Sequence, residues 1–450
     1  MFTKKSTFIA LSAIIIIPLL LLNIFNLYRN NSAVGANNSL NNYSKDSTNL
    51  VVWGSAKINQ LNKYKESNNR TFSDLLRLPK EESNLENQKY SAGYKHFGRL
   101  DPNGTIQMQG DNRVGQVGDG TNFILQTNPQ KLTLKDIMQL ESNYNHSLSL
   151  DKNGEVYSWG LNLSGQIGNG NNENKNSPTK VNNLPKIKSV NAGYRTSFGI
   201  SEQGIVYGWG GKCDSKGLAT WKKLNAEISG NLNLAGGYYD RAGNTSDDPE
   251  NYNDCNEISE VNMNINSNTP KIIEGLENIQ SMSAGYGHFL ALNQVGGVYS
   301  WGCNLYGQLG RNQNINDPTS QKPTLIEGLN NITQIEAGFR HSLALDKDGN
   351  VYSWGHNEYG ELGNNSTKDL YIPTKINNLP KIKKIVASHD YSLAIDENNN
   401  LWLWGENLYQ QIDSDISKKF ISTPQKLETK SQFLDAESKG TFILAKIYTP

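Results

Sequence analysis

Apolar and polar residues alternate with period two over short runs, and the runs recur along the chain. In Ala337 to Gly355, His341, Leu343 and Leu345 alternate with Ser342 and Ala344, leaving one face of small residues. Asp346-Lys347-Asp348-Gly349 reads as a turn and Val351-Tyr352-Ser353-Trp354 as the returning strand. Period two predicts strands, and the turn between them predicts a β-hairpin. Glycine stands at the same turn position at Gly104, Gly154, Gly204 and Gly296, with Asn399 in a further copy. These are the residues that tolerate positive φ.

The hairpin has a fixed length. Its starts at Ala92, Ser142, Ala192, Ala284, Ala337 and Ala387 each precede a glycine by 18 residues, at Gly110, Gly160, Gly210, Gly302, Gly355 and Gly405. Tryptophan precedes five of these glycines, and Gln109 precedes Gly110. A further Trp-Gly, Trp53-Gly54, lacks an upstream strand, while a seventh start at Ala436 meets no Trp-Gly before Pro450. From each glycine to the next start the interval varies: 38, 32, 32, 74, 35, 32 and 31 residues. Within it come Asn-x-x-Gly-Gln-Leu-Gly, as at Asn304 to Gly310, and a proline such as Pro373 leading into Thr374-Lys375-Ile376. A strand at Ile382 to Val386 then returns to the next start. Four short strands per repeat of about 50 residues predict an all-β, radial architecture of blades. Counted by their Trp-Gly, the blades run from one (Trp53) to seven (Trp404). Pairing of Thr441 to Lys446 with Leu50 to Trp53 is expected to close the ring and remove its open edges.

These motifs resemble the regulator of chromosome condensation repeat family, over roughly Leu50 to Pro450. The resemblance implies a seven-bladed β-propeller. It also implies three functional expectations. The first is a non-catalytic, extracellular or membrane-anchored interaction module, as in secreted bacterial members. The second is a guanine-nucleotide exchange factor for a small GTPase, as in the founding member. The third is a cell-envelope carbohydrate binder or an inhibitor of a secreted enzyme.

The N-terminus changes that picture. Phe8 to Tyr28 is a nearly unbroken apolar stretch behind Lys4 and Lys5, long enough for the ~20 residues of a membrane span. It is expected to be a hydrophobic helix within residues 1–29, either a secretory signal or a signal-anchor through residues 8–28. The Asn-rich stretch 30–49 reads as a linker and 50–450 as the propeller. The expected location is therefore the outer face of the cell membrane or the medium, with the propeller monomeric. That placement argues against exchange on cytosolic GTPases. Lys+Arg and Asp+Glu are equal at 43 each, so no global field draws in nucleic acid.

The stretched interval of 74 residues marks an insertion at about 211–268 in blade four. It carries Trp221, Tyr238, Tyr239, Asp240, Arg241 and Tyr252, the aromatic and adaptable polar mixture of a paratope, and these are the candidate contacts to a protein partner of unknown identity. Long loops of blades one (Ile58 to Tyr90) and five (Arg311 to Gln321) are expected on the same face. Cys213 and Cys255 bracket the insertion and are a disulfide candidate, leaving Cys303 as a lone buried hydrophobe. His96, His146, His288 and His341 share one register. Spaced one to a blade, they are expected to bond neighbouring backbone rather than converge on a metal. Asp346-x-Asp348-Gly349 imitates a calcium loop, but Val351 occupies the position where that loop needs glycine. No catalytic grouping, cofactor motif or metal spacing is present, so neither cofactor nor metal is expected.

Overall fold

The computed structural model describes residues 47–54, 87–211, 267–311, 319–408, 411–413, 417–440 and 442–449. They form seven antiparallel sheets, six of four strands and one of three. Blade six shows the plan: Ile332–Ala337, His341–Asp346, Val351–Gly355 and Leu370–Lys375, hydrogen-bonded in that order. First strands of successive blades touch one another and so form the hub. The fourth strand is the half-exposed outer edge.

The second strand of blade six is buried along its whole length, Ser342 and Ala344 included. A blade is covered on both sides by its neighbours, so alternation here distinguishes which neighbour a side chain meets. The cores accordingly lie between blades: Leu290, Leu292 and Val298 of blade five pack with Ile332, Ile335, Ala344 and Trp354 of blade six. Pro373 lies inside the fourth strand rather than ahead of it, tolerated because an outer edge has no further ladder to donate to.

The Trp-Gly glycines mark a bulge. In blade six the ladder to the outer strand slips between Ser353 and Gly355. Gly355 has φ +101°, and a Cβ there would come within 2.7 Å of Arg340 O. Only glycine fits such a backbone.

The three-stranded sheet is blade one. Ser47–Gly54 lies against Phe442–Thr449, which pairs on its other side with Gln432–Glu437. Leu50 stands opposite Lys446 and Trp53 opposite Ile443, so both ends of the chain complete one blade as expected. The seventh start needs a shift of two residues. Leu444 pairs with Glu437 as Leu393 pairs with Val386, which makes Ser438, not Ala436, the counterpart of Ala387. The expected N-terminal hydrophobic helix lies outside the described residues. Among those described, no helix is long and apolar enough to cross a membrane.

Candidate functional site

The loops joining first to second strands meet at the hub on the Trp-Gly end of the blades. Their aromatic residues form a chain around the axis: Tyr94, Tyr144, Tyr194, Tyr286, Phe339 and His389. Successive ring centroids are 4.7, 4.1, 4.6, 4.4 and 4.1 Å apart. Gly440 fills the seventh place, where a Cβ would come within 2.5 Å of Tyr94 O. Cations from the same loops lie over these rings, Arg195 5.2 Å from the Tyr194 centroid and Arg340 5.1 Å from that of Phe339. A cavity of about 30 Å³ beneath them, lined by Tyr194, Tyr286, Phe339, His389 and Lys439, has room for little more than water.

Deeper in the hub the lining turns charged. Lys439 Nζ is 3.0 Å from Glu336, and Lys384 bridges Asp435 and Glu437. Burial pushes Glu141, near this group, up to about 7.

Blades are held together by a repeated polar clamp on that end. At the junction of blades three and four, Gln166 O accepts from Trp209 Nε1 (2.9 Å) and from Ser197 Oγ (2.8 Å). Ser197 in turn accepts from His146 Nε2 at 3.0 Å, since its own proton is committed to the carbonyl. The register histidines therefore bond a serine side chain of the next blade, and His146 and His288 also meet its backbone, at Thr196 and His341. Burial holds His146 at about 3 and His96 at about 4, so both are neutral. The clamp recurs at Gln116, Gln308 and Glu361.

Among the described residues, the junction of blades four and five does not show it. Thr196 replaces the histidine and Phe289 the serine, and no described carbonyl of blade four reaches Trp301. Trp301 Nε1 and Thr196 Oγ1 are buried without a hydrogen bond. Edge-on packing of Phe198 against Phe289, 5.2 Å between centroids, takes the clamp's place. This is the blade whose third strand ends at Gly210, where the long insertion departs. Trp221, Tyr238, Tyr239, Asp240, Arg241 and Tyr252 all lie outside the described residues, as do Cys213 and Cys255. Cys303 is disulfide-bonded, which corrects the expectation of a lone thiol.

Blade six departs differently. Glu361 stands where blades two, three and five have glutamine, and its Oε1 is 2.5 Å from His356 Nδ1. The ligating atoms of His356, Glu361 and Asp390 all lie within 4.8 Å of one another, and all three residues are buried. Spacing along the chain gave no sign of this, because Asp390 comes from the next blade.

These sheets, their shared hub and their ends joined in one blade define a seven-bladed β-propeller. Two models, each described as a regulator of chromosome condensation (RCC1) repeat, match residues 153–200, 295–345 and 348–395, and 139–166, 279–308 and 332–361. At these residues the chain carries regulator of chromosome condensation repeats. It is similar to the probable E3 ubiquitin-protein ligase HERC4 of Homo sapiens, 39% identical over 107 residues, 23% of this chain and 10% of that protein. It is also 42% identical to Protein RCC1 of Candida albicans over 95 residues, 20% of each chain. The matched stretches thus span a tenth to a fifth of these relatives. Among solved structures, Prp20p of Saccharomyces cerevisiae superposes with a TM-score of 0.67 at 21% identity, covering 90% of this chain and 93% of that one. Human WBSCR16 follows with 0.59 at 18%, covering 79% and 86%.

Proposed function

We propose that the protein is a non-catalytic interaction module that presents the Trp-Gly end of its propeller to a protein partner outside the cell or at its membrane. One observation carries the reading. The strand ends on both sides of residues 212–266 and 312–318, and Gly54 ahead of residues 55–86, lie on the end that bears the hub aromatics and their cations. Long loops on a rigid scaffold are where binding residues concentrate. Bonding of Cys303 favours an oxidising compartment, as does the apolar stretch Phe8 to Tyr28. Affinity capture with the full chain, repeated after deleting Gly236 to Tyr252, tests this. A partner retained in full by the deletion variant overturns the insertion as its site.

A second reading rests on the likeness to Prp20p, whose structure is described together with its binding properties to Gsp1p and histones. On that reading the same end would promote nucleotide release from a small GTPase. Acceleration of nucleotide release by the purified chain would favour it over the first.

A further inference from the structure

The loop bond that glutamine makes in other blades does not require a carboxylate. Gln166 Oε1 accepts from Ser164 N at 2.9 Å and Gln308 Oε1 from Tyr306 N at 2.9 Å. In blade six Glu361 Oε2 does the same for Tyr359 N at 2.8 Å. What glutamate adds is a second acceptor, Oε1, and it points at His356. Asp390, from the hub loop of blade seven, completes the trio; the corresponding residues are Asn145 and Arg195 in blades three and four. A fourth group lies beside this trio. Glu406, bonded through its backbone to Asp390 O, is 8% exposed and its carboxylate makes no hydrogen bond among the described residues. Burial and the nearby Asp390 push it up to about 8.

Two carboxylates and an imidazole thus converge in a buried space, with the Glu406 carboxyl near enough to feel Asp390 and Glu361. Asp390 is already partly offset, by His389 Nδ1 at 2.7 Å and by Arg340, which lies over Tyr306 and Phe339; Glu406 has no such partner among the described residues. Buried carboxylates without a hydrogen bond are costly unless a cation compensates them. A mixed set of imidazole nitrogen and carboxylate oxygen suits zinc-class divalent ions, whereas calcium takes oxygen ligands alone. We propose that His356, Glu361 and Asp390, with Glu406 beside them, bind one divalent transition-metal ion that ties blade six to blade seven.

The site is built from blades six and seven, and its test reads metal rather than a protein partner, so it is independent of the partner reading. The full chain in detergent is equilibrated with zinc, dialysed against metal-free buffer and analysed for bound metal. Wild type is expected to hold one more zinc per chain than Glu361→Gln or Asp390→Asn, each variant binding at least about tenfold more weakly. Both variants introduce residues that other blades already carry, Gln166 and Asn145, which preserves the fold. Zinc should raise the melting temperature of wild type and leave the variants unmoved. A third readout needs no variant: zinc added to wild type releases protons from the trio, seen with a pH indicator. Equal retention by wild type and variants, or no proton release at stoichiometric zinc, overturns the proposal. Calcium shifting the melting temperature where zinc does not would overturn the choice of metal.

Discussion

The junctions three–four and four–five are built from the same strands and teach opposite lessons. At three–four, His146, Ser197, Trp209 and the carbonyl of Gln166 form a closed chain of donors and acceptors. At four–five no such chain is present among the described residues: Phe198 packs against Phe289, and Trp301 and Thr196 have buried polar atoms without a hydrogen bond. The apolar contacts persist in both, so the propeller closes either way. The clamp adds directional bonds at the junctions that have it, two–three, three–four, five–six and six–seven. Removing a buried hydrogen bond costs about 1–3 kcal/mol when a partner is left unsatisfied, so the seam at four–five is the softer one.

That contrast presupposes a closed ring, and the largest expected effect comes from opening it. Deleting the last ten residues removes the strand Phe442–Thr449 between the N-terminal strand and Gln432–Glu437. It exposes two edges at once, and the truncate should aggregate. A soluble truncate with an unchanged melting temperature would show that closure is dispensable.

A smaller effect separates the two junctions directly. Trp209→Phe and Trp301→Phe remove similar volume from fully buried sites, but only the first breaks a bond to a carbonyl. Trp209→Phe should destabilise by about 1–3 kcal/mol more than Trp301→Phe in urea unfolding. Equal losses would mean that the clamp is geometric decoration and that packing alone sets each junction.

The smallest effect is a pH slope. Burial holds His146 at about 3 in the folded chain, against 6.5 unfolded. Between those values the unfolded chain binds the extra proton, so this contribution is complete above pH 6.5 and falls as pH drops toward 3. The fall is at most about 1.4 kcal/mol per pH unit for each such histidine. The four–five junction, with Thr196, has no such term. His146→Asn should therefore flatten the dependence of the urea midpoint between pH 6.5 and 5 relative to wild type. An unchanged slope would mean that His146 is protonated in the folded state.

Much of the architecture was legible because it depends on local spacing. The fixed 18 residues specify a hairpin, the positive-φ turn places Gly349 and Asn399 (φ +83° and +65°), and the repeat count specifies seven blades. Proline inside an outer strand was misplaced because sequence does not reveal which strand is an edge. The start at Ala436 was off by two because alanine recurs in the hub strand, and only pairing with Leu444 fixes the register. The site was less legible. A glutamate in place of glutamine at position 361 was visible, but its meaning depends on Asp390 and Glu406 from another blade.

By itself the sequence determined the repeating unit, the closure of its two ends and the place of the insertion, because strand period, turn chemistry and glycine requirements act within a few residues. Only the tertiary structure decided which neighbour each side of a blade meets, where the clamp forms and which carboxylates share a buried space. Those outcomes depend on distances between blades, which no spacing along the chain encodes.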